Sequence, residues 1–83
     1  MKAVYFASVR ERIGLTEEEI SPPANVATVS QLIGWLAARG EGYALAFANA
    51  ATIRTAIDKS HARPESLIGS AHEVAFFPPM TGG

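Results

Sequence analysis

The chain has 83 residues, 48% of them apolar, with 7 basic and 8 acidic side chains for a net charge of −1, and no cysteine. That length holds one small domain, and the apolar content excludes an intrinsically disordered chain. Without cysteine there are no disulfides, thiolate metal sites or cysteine nucleophile, and the near-zero charge argues against a dedicated nucleic-acid binder. Fifteen of the apolar residues are alanine, so the core is modest and the chain reads as a part rather than a whole enzyme.

The first apolar stretch meets Arg10, Glu11 and Arg12 at once, too soon for a signal peptide. The apolar stretch 44–53 is broken by Asn49 and is too short to span a bilayer. A cytoplasmic protein with no membrane partner is the expectation. Residues 2–8 read as a strand, with Val4 and Phe6 on one face and Tyr5 on the other. Residues 9–13 make a turn of helix that Gly14 stops. A short second strand over 17–20 is closed by Ser21-Pro22-Pro23, because consecutive prolines do not sit inside a sheet. Its three glutamates suit either an acidic docking patch or, better, a solvated edge.

The clearest element is a helix over 29–39. Thr28 and Gln31 have the spacing of a capping box, and Val29, Leu32, Ile33 and Leu36 fall on one face. Gly40 suits a left-handed position after that helix, and close packing against a sheet would explain Gly34. Trp35 suits a partner anchor or, more simply, the edge of the core. Residues 43–48 read as a short helical segment with Leu45 and Phe47 as its larger apolar groups. Residues 52–58 alternate Ile53, Thr55 and Ile57 against Arg54, Ala56 and Asp58, a strand with one apolar face. In the last strand, 73–77, Val74 and Phe76 face one way and Ala75 and Phe77 the other. This order predicts an α+β fold, a small mixed sheet over one main helix. His61 and His72 are placed in loops and lack the converging ligands or partner that metal or general-base work requires.

After Phe77 the chain reads Pro78-Pro79-Met80-Thr81-Gly82-Gly83. The prolines donate no amide hydrogen, so the sheet ladder stops there, and they hold the preceding backbone extended. The division expected is therefore a folded domain over 1–77 and an extended tail over 78–83. Six extended residues reach up to about 20 Å, and a Gly-Gly end has no Cβ to bar it from a narrow channel. A frayed terminus explains two glycines nearly as simply. A terminal carboxylate is a poor acyl donor until adenylation supplies a leaving group, after which a sulfur or nitrogen nucleophile can take the acyl carbon.

The run Glu73-Val74-Ala75-Phe76-Phe77-Pro78-Pro79-Met80-Thr81-Gly82-Gly83 resembles the C-terminal signature of the small, sulfur-carrying subunits of molybdopterin synthase. The opening Val4-Tyr5-Phe6-Ala7-Ser8-Val9-Arg10-Glu11 resembles that family's first strand and turn, so the likeness spans essentially the whole chain. The resemblance implies a ubiquitin-like β-grasp fold. It implies that an E1-like adenylating enzyme, using ATP and magnesium, activates Gly83, and that a sulfur-relay donor converts it to a thiocarboxylate. It further implies insertion of the tail into the large synthase subunit, in a heterotetramer, where the sulfur passes to a cyclic pyranopterin monophosphate to build the dithiolene of molybdopterin. It implies that no cofactor or metal is held permanently and that the catalytic pocket belongs to the large subunit.

By matched position the resemblance makes Gly83 the carrier and Gly82 the residue giving the tail access, with Pro78, Pro79, Met80 and Thr81 entering the partner. It assigns Phe6, Arg10 and Phe77 to partner contact; on the residues alone the two phenylalanines suit the core and Arg10 a solvated turn. The sequence departs from the family at Asp58, where that strand commonly continues into an asparagine, and at His61, near which family members often carry an apolar residue that contacts the partner. It departs again at Gly69-Ser70-Ala71-His72, before the last strand. A sulfur carrier for thiamin or another pathway, a ubiquitin-like modifier joined to lysine, and a non-reactive β-grasp interaction module are the alternatives.

Overall fold

The structure, a computed structural model, describes residues 1–79. Among them, five strands form one sheet: β1 (Lys2–Tyr5), β2 (Glu17–Glu19), β3 (Arg54–Ile57), β4 (Ser60–Ala62) and β5 (Glu73–Phe77), in the order β2-β1-β5-β3-β4. The central pair, β1 and β5, is parallel, while β1–β2, β5–β3 and β3–β4 are antiparallel. Helices α1 (Ala7–Ile13), α2 (Val29–Ala37) and α3 (Glu41–Ala46) complete the fold with a 3-10 turn at Ala50–Thr52. This is the α+β, ubiquitin-like β-grasp arrangement that the resemblance implies.

Helix α2 starts where its capping box does. The Gln31 N–H donates to Thr28 Oγ1 at 3.2 Å, and Gln31 Oε1 accepts the Thr28 N–H at 3.1 Å. Val29, Leu32, Ile33 and Leu36 are buried together with Ala3, Tyr5, Val74 and Phe76 from the sheet. Each such large side chain contributes roughly 1.5–3 kcal/mol of apolar burial, so the helix is held by its buried face more than by propensity. On the same side of the molecule, Glu18 ties the edge strand to the helices. Its carboxylate accepts the Tyr5 hydroxyl at 2.8 Å and the Tyr43 hydroxyl at 2.7 Å, and Arg39 lies 3.5 Å away. The Arg39 guanidinium sits between the rings of Trp35 and Tyr43, 5.2 Å from each centroid. The glutamate run is thus an edge strand, but its middle member is a structural acceptor and Trp35 belongs to this cluster.

Several elements differ from the sequence expectation. The first strand ends at Tyr5, because Phe6 becomes the N-cap of α1, which starts at Ala7 and buries Val9. Gly14 does stop that helix, at φ 87, its N–H donating to the Arg10 carbonyl at 2.7 Å. Gly40 is not left-handed: α2 closes on Ala38 in the right-handed region, and Gly40, extended at φ 166, caps the start of α3. Gly34 is exposed with open space where a Cβ would stand, so close sheet packing does not account for it. The close approach is at Gly42, where a Cβ would lie 2.5 Å from the Arg12 carbonyl oxygen, so α3 crosses α1 backbone against backbone. In α3 the apolar contact comes from Ala46 and from Phe47 just beyond it, whereas Leu45 is 61% exposed.

Strand β4 was not expected; His61 lies on it, not in a loop. A two-residue turn, Asp58 at φ 46 and Lys59 at φ 71, folds β3 back onto it. Both residues occupy the left-handed region without being glycine. Asp58 Oδ1 accepts the N–H groups of His72 and Glu73 at 3.0 and 2.9 Å, so the aspartate pins the entry to β5. His72 is in a loop, as expected.

Candidate functional site

Strand β5 runs through the middle of the sheet, so its two faces have different fates. Val74 and Phe76 point into the core; Phe76 is stacked on Tyr5, with ring centroids 6.1 Å apart, and meets Phe47 edge-on at 5.3 Å. Ala75 and Phe77 point to the outer face, which none of the described helices covers. There Ala75 stands in register between Val4 on β1 and Ala56 on β3, and its small side chain is only 7% exposed. The result is a shallow apolar strip leading to an aromatic group at the exit of β5.

That group is Phe6, Phe77 and His61. Phe77 meets Phe6 edge-on at 6.3 Å and His61 at 6.1 Å. Phe6 is 46% exposed, held by the junction of β1 and α1: its N–H donates to the Phe76 carbonyl at 3.1 Å, and its own carbonyl accepts from Val9 and Arg10. Arg10 is exposed on α1, and its N–H donates to the Phe6 carbonyl at 3.4 Å. The β5–β3 ladder ends at the pair Arg54–Phe77, after which Pro78 and Pro79, half-buried, carry the chain onward without donors.

Of the residues assigned to the partner surface, Phe6, Phe77, Pro78 and Pro79 therefore cluster at one end of the sheet, and Arg10 is exposed on the helix that follows Phe6. Met80, Thr81, Gly82 and Gly83 lie outside the described residues, as does most of the expected tail over 78–83. Arg54 was missed as a site residue, and His61 was noted only as a departure from the family near a partner contact. The outward phase of Arg54 and Ala56 was legible, but their placement beside Ala75 and Phe77 follows from strand pairing that no single segment encodes. Among the described residues no three histidine, aspartate or glutamate side chains gather as a metal site. An open groove of about 600 Å3, lined by Ile20, Pro22, Val26, Leu67 and Ile68 among others, lies at the opposite end of β1.

The tyrosine hydroxyls on Glu18 are perturbed. Burial, then the hydrogen bond to Glu18, raises the Tyr5 hydroxyl far above its ordinary range; the same causes in the same order raise Tyr43. Both are on the opposite side of the sheet from Phe77, and so belong to the scaffold.

The sequence matches the ThiS family over residues 3–83. It is 34% identical to the molybdopterin synthase sulfur carrier subunit of Escherichia coli K12, covering 100% of this chain and 99% of that protein. The protein of the same name from Haemophilus influenzae is also 34% identical, over the same shares. Among solved structures, SAMP1 from Haloferax volcanii superposes with a TM-score of 0.72 at 22% identity, covering 100% of this chain and 98% of that one, a likeness of fold. A Pyrococcus furiosus protein provisionally named molybdopterin converting factor, subunit 1, gives 0.74 at 27% identity over 95% of both chains.

Proposed function

The chain belongs to the ThiS family, and on that basis we propose that it is the sulfur-carrier subunit of a molybdopterin synthase. What supports this reading most is the similarity at 34% identity, over the full chain, to two proteins of that name. Gly83 is the carrier. Its carboxylate attacks the α-phosphorus of ATP, pyrophosphate leaves with magnesium, and the acyl-adenylate forms on an E1-like enzyme. Sulfide-level sulfur from a relay donor then attacks the acyl carbon and displaces AMP, leaving a thiocarboxylate. Gly82 keeps this end thin enough for a channel, and Pro78 to Thr81 span the distance from the sheet to the large subunit's pocket. There the sulfur passes to a cyclic pyranopterin monophosphate.

The carrier contributes presentation rather than acid–base groups. Phe6, Phe77 and Arg10 form the surface that docks on the large subunit and, in turn, on the activating enzyme. An aromatic pair on an uncovered sheet face, next to the point where the chain departs, couples docking to tail insertion.

The test is intact mass after incubation with an E1-like enzyme, ATP, magnesium and a sulfur donor. Replacement of one terminal oxygen by sulfur at Gly83 is expected; an unchanged mass with a competent cognate activator overturns the carrier role. Capture of the large synthase subunit, lost on deleting Gly82 and Gly83, separates this carrier from one serving a thiamin or other pathway, which would receive sulfur yet not bind that subunit.

A further inference from the structure

The docking face carries basic side chains that no carboxylate among the described residues pairs. At the other end of the sheet and beside α2, Lys2, the N-terminal ammonium and Arg39 are paired internally. Lys2 lies 3.5 Å from Glu17 and 3.9 Å from Glu73, the N-terminal ammonium meets Glu19, and Arg39 reaches Glu18 at 3.5 Å. Around Phe77 the pattern reverses. Arg54 is exposed on β3, in register beside Phe77 and therefore on the same face. His61 is exposed on β4, its ring edge-on to Phe77. Among the described residues neither forms an ion pair with a carboxylate. A net charge of −1 thus conceals a basic border on the apolar aromatic face that none of the described helices covers.

We propose that Arg54 and His61 form a basic rim that recognises carboxylates on the docking partner, whose surface is an apolar socket for Phe6 and Phe77 edged by aspartate or glutamate. This rests on the reading above and specifies the partner's surface chemistry. A desolvated aromatic centre within a polar rim is the anatomy of a protein interface, and complementary rim charge accelerates and orients docking. A phosphate chain would match the cations but leave the strip of Val4, Ala75 and Ala56 without a partner. Lys59 in the β3–β4 turn and Arg63 just after β4 add basic charge nearby in the chain. Of the nearby acids, Asp58 is engaged with the backbone of His72 and Glu73, and Glu73, on the same face of β5 as Phe77, lies 3.9 Å from Lys2.

The experiment is calorimetric titration of the full chain into the large subunit of molybdopterin synthase from the same organism, at low and high salt. Arg54→Glu should weaken binding about tenfold at low salt, and Arg54→Gln about two- to fivefold with a shallower salt dependence than the native chain. His61→Glu should also weaken binding at low salt, since it sets a carboxylate against those of the partner. Native-like binding by Arg54→Glu or by His61→Glu overturns the rim while leaving the carrier reading intact. Failure of the native chain to bind the large subunit overturns the docking reading and the rim together.

Discussion

Phe76 and Phe77 are chain neighbours with opposite environments. Phe76 is fully buried between Tyr5 and Phe47, whereas Phe77 is half-buried on the outer face against Phe6 and His61. The strand's two-residue period separates stability from recognition within one dipeptide.

Alanine substitutions should resolve the two roles. Phe76→Ala should cost about 3–5 kcal/mol, the range for truncating a large buried aromatic, enough to unfold much of a domain this small. Phe77→Ala should cost about 1 kcal/mol or less yet sharply weaken binding to the large subunit. Urea unfolding and titration of the same two variants measure both effects; equal destabilisation would contradict the division of faces.

The two glycines of the helical layer should respond in opposite senses. Gly42→Ala places a methyl 2.5 Å from the Arg12 carbonyl oxygen, forcing α1 and α3 apart at a cost of about 1–3 kcal/mol. Gly34→Ala adds a methyl in open space on α2 and should stabilise by up to about 1 kcal/mol. Thermal melts of both variants give the comparison directly.

Asp58 and Lys59 make a tight turn with both residues left-handed. Lys59→Gly should stabilise modestly, by up to about 1 kcal/mol, because glycine has no Cβ penalty there. Asp58→Ala should destabilise by about 1–3 kcal/mol, since it orphans the N–H groups of His72 and Glu73. Asp58→Asn keeps an acceptor oxygen and tolerates the left-handed backbone, so it should fall near the native chain in denaturant midpoint.

Alkaline pH should loosen the fold through Tyr5 and Tyr43. Both hydroxyls are raised in the folded state, by burial first and then by the bond to Glu18. The neutral form is therefore favoured on folding, and its contribution is complete below the unfolded tyrosine pKa of about 10. Above that, unfolded tyrosines release protons that folded ones retain, so stability falls as pH rises. Denaturant unfolding at increasing pH should show the fall in the native chain and a smaller one in Tyr5→Phe; equal slopes would remove Tyr5 as its source.

From the sequence alone, the α+β class, the helix at Val29 with its Thr28–Gln31 box, the alternation of Val74 and Phe76 against Ala75 and Phe77, and the proline-led exit after Phe77 were all legible. Each is local: a side-chain period, a cap three residues long, or a residue that lacks an amide hydrogen. Only the tertiary structure decided what those faces meet. It ended the first strand at Tyr5 because burying Val9 on α1 outweighs the strand preference of Phe6. It made β4 out of a three-residue segment with no clear alternation, by way of the Asp58–Lys59 turn. It also put Arg54 and His61 beside Phe77, across strands far apart in the chain. Strand pairing depends on register between distant segments, and register is set by the shared core rather than by either segment's own residues.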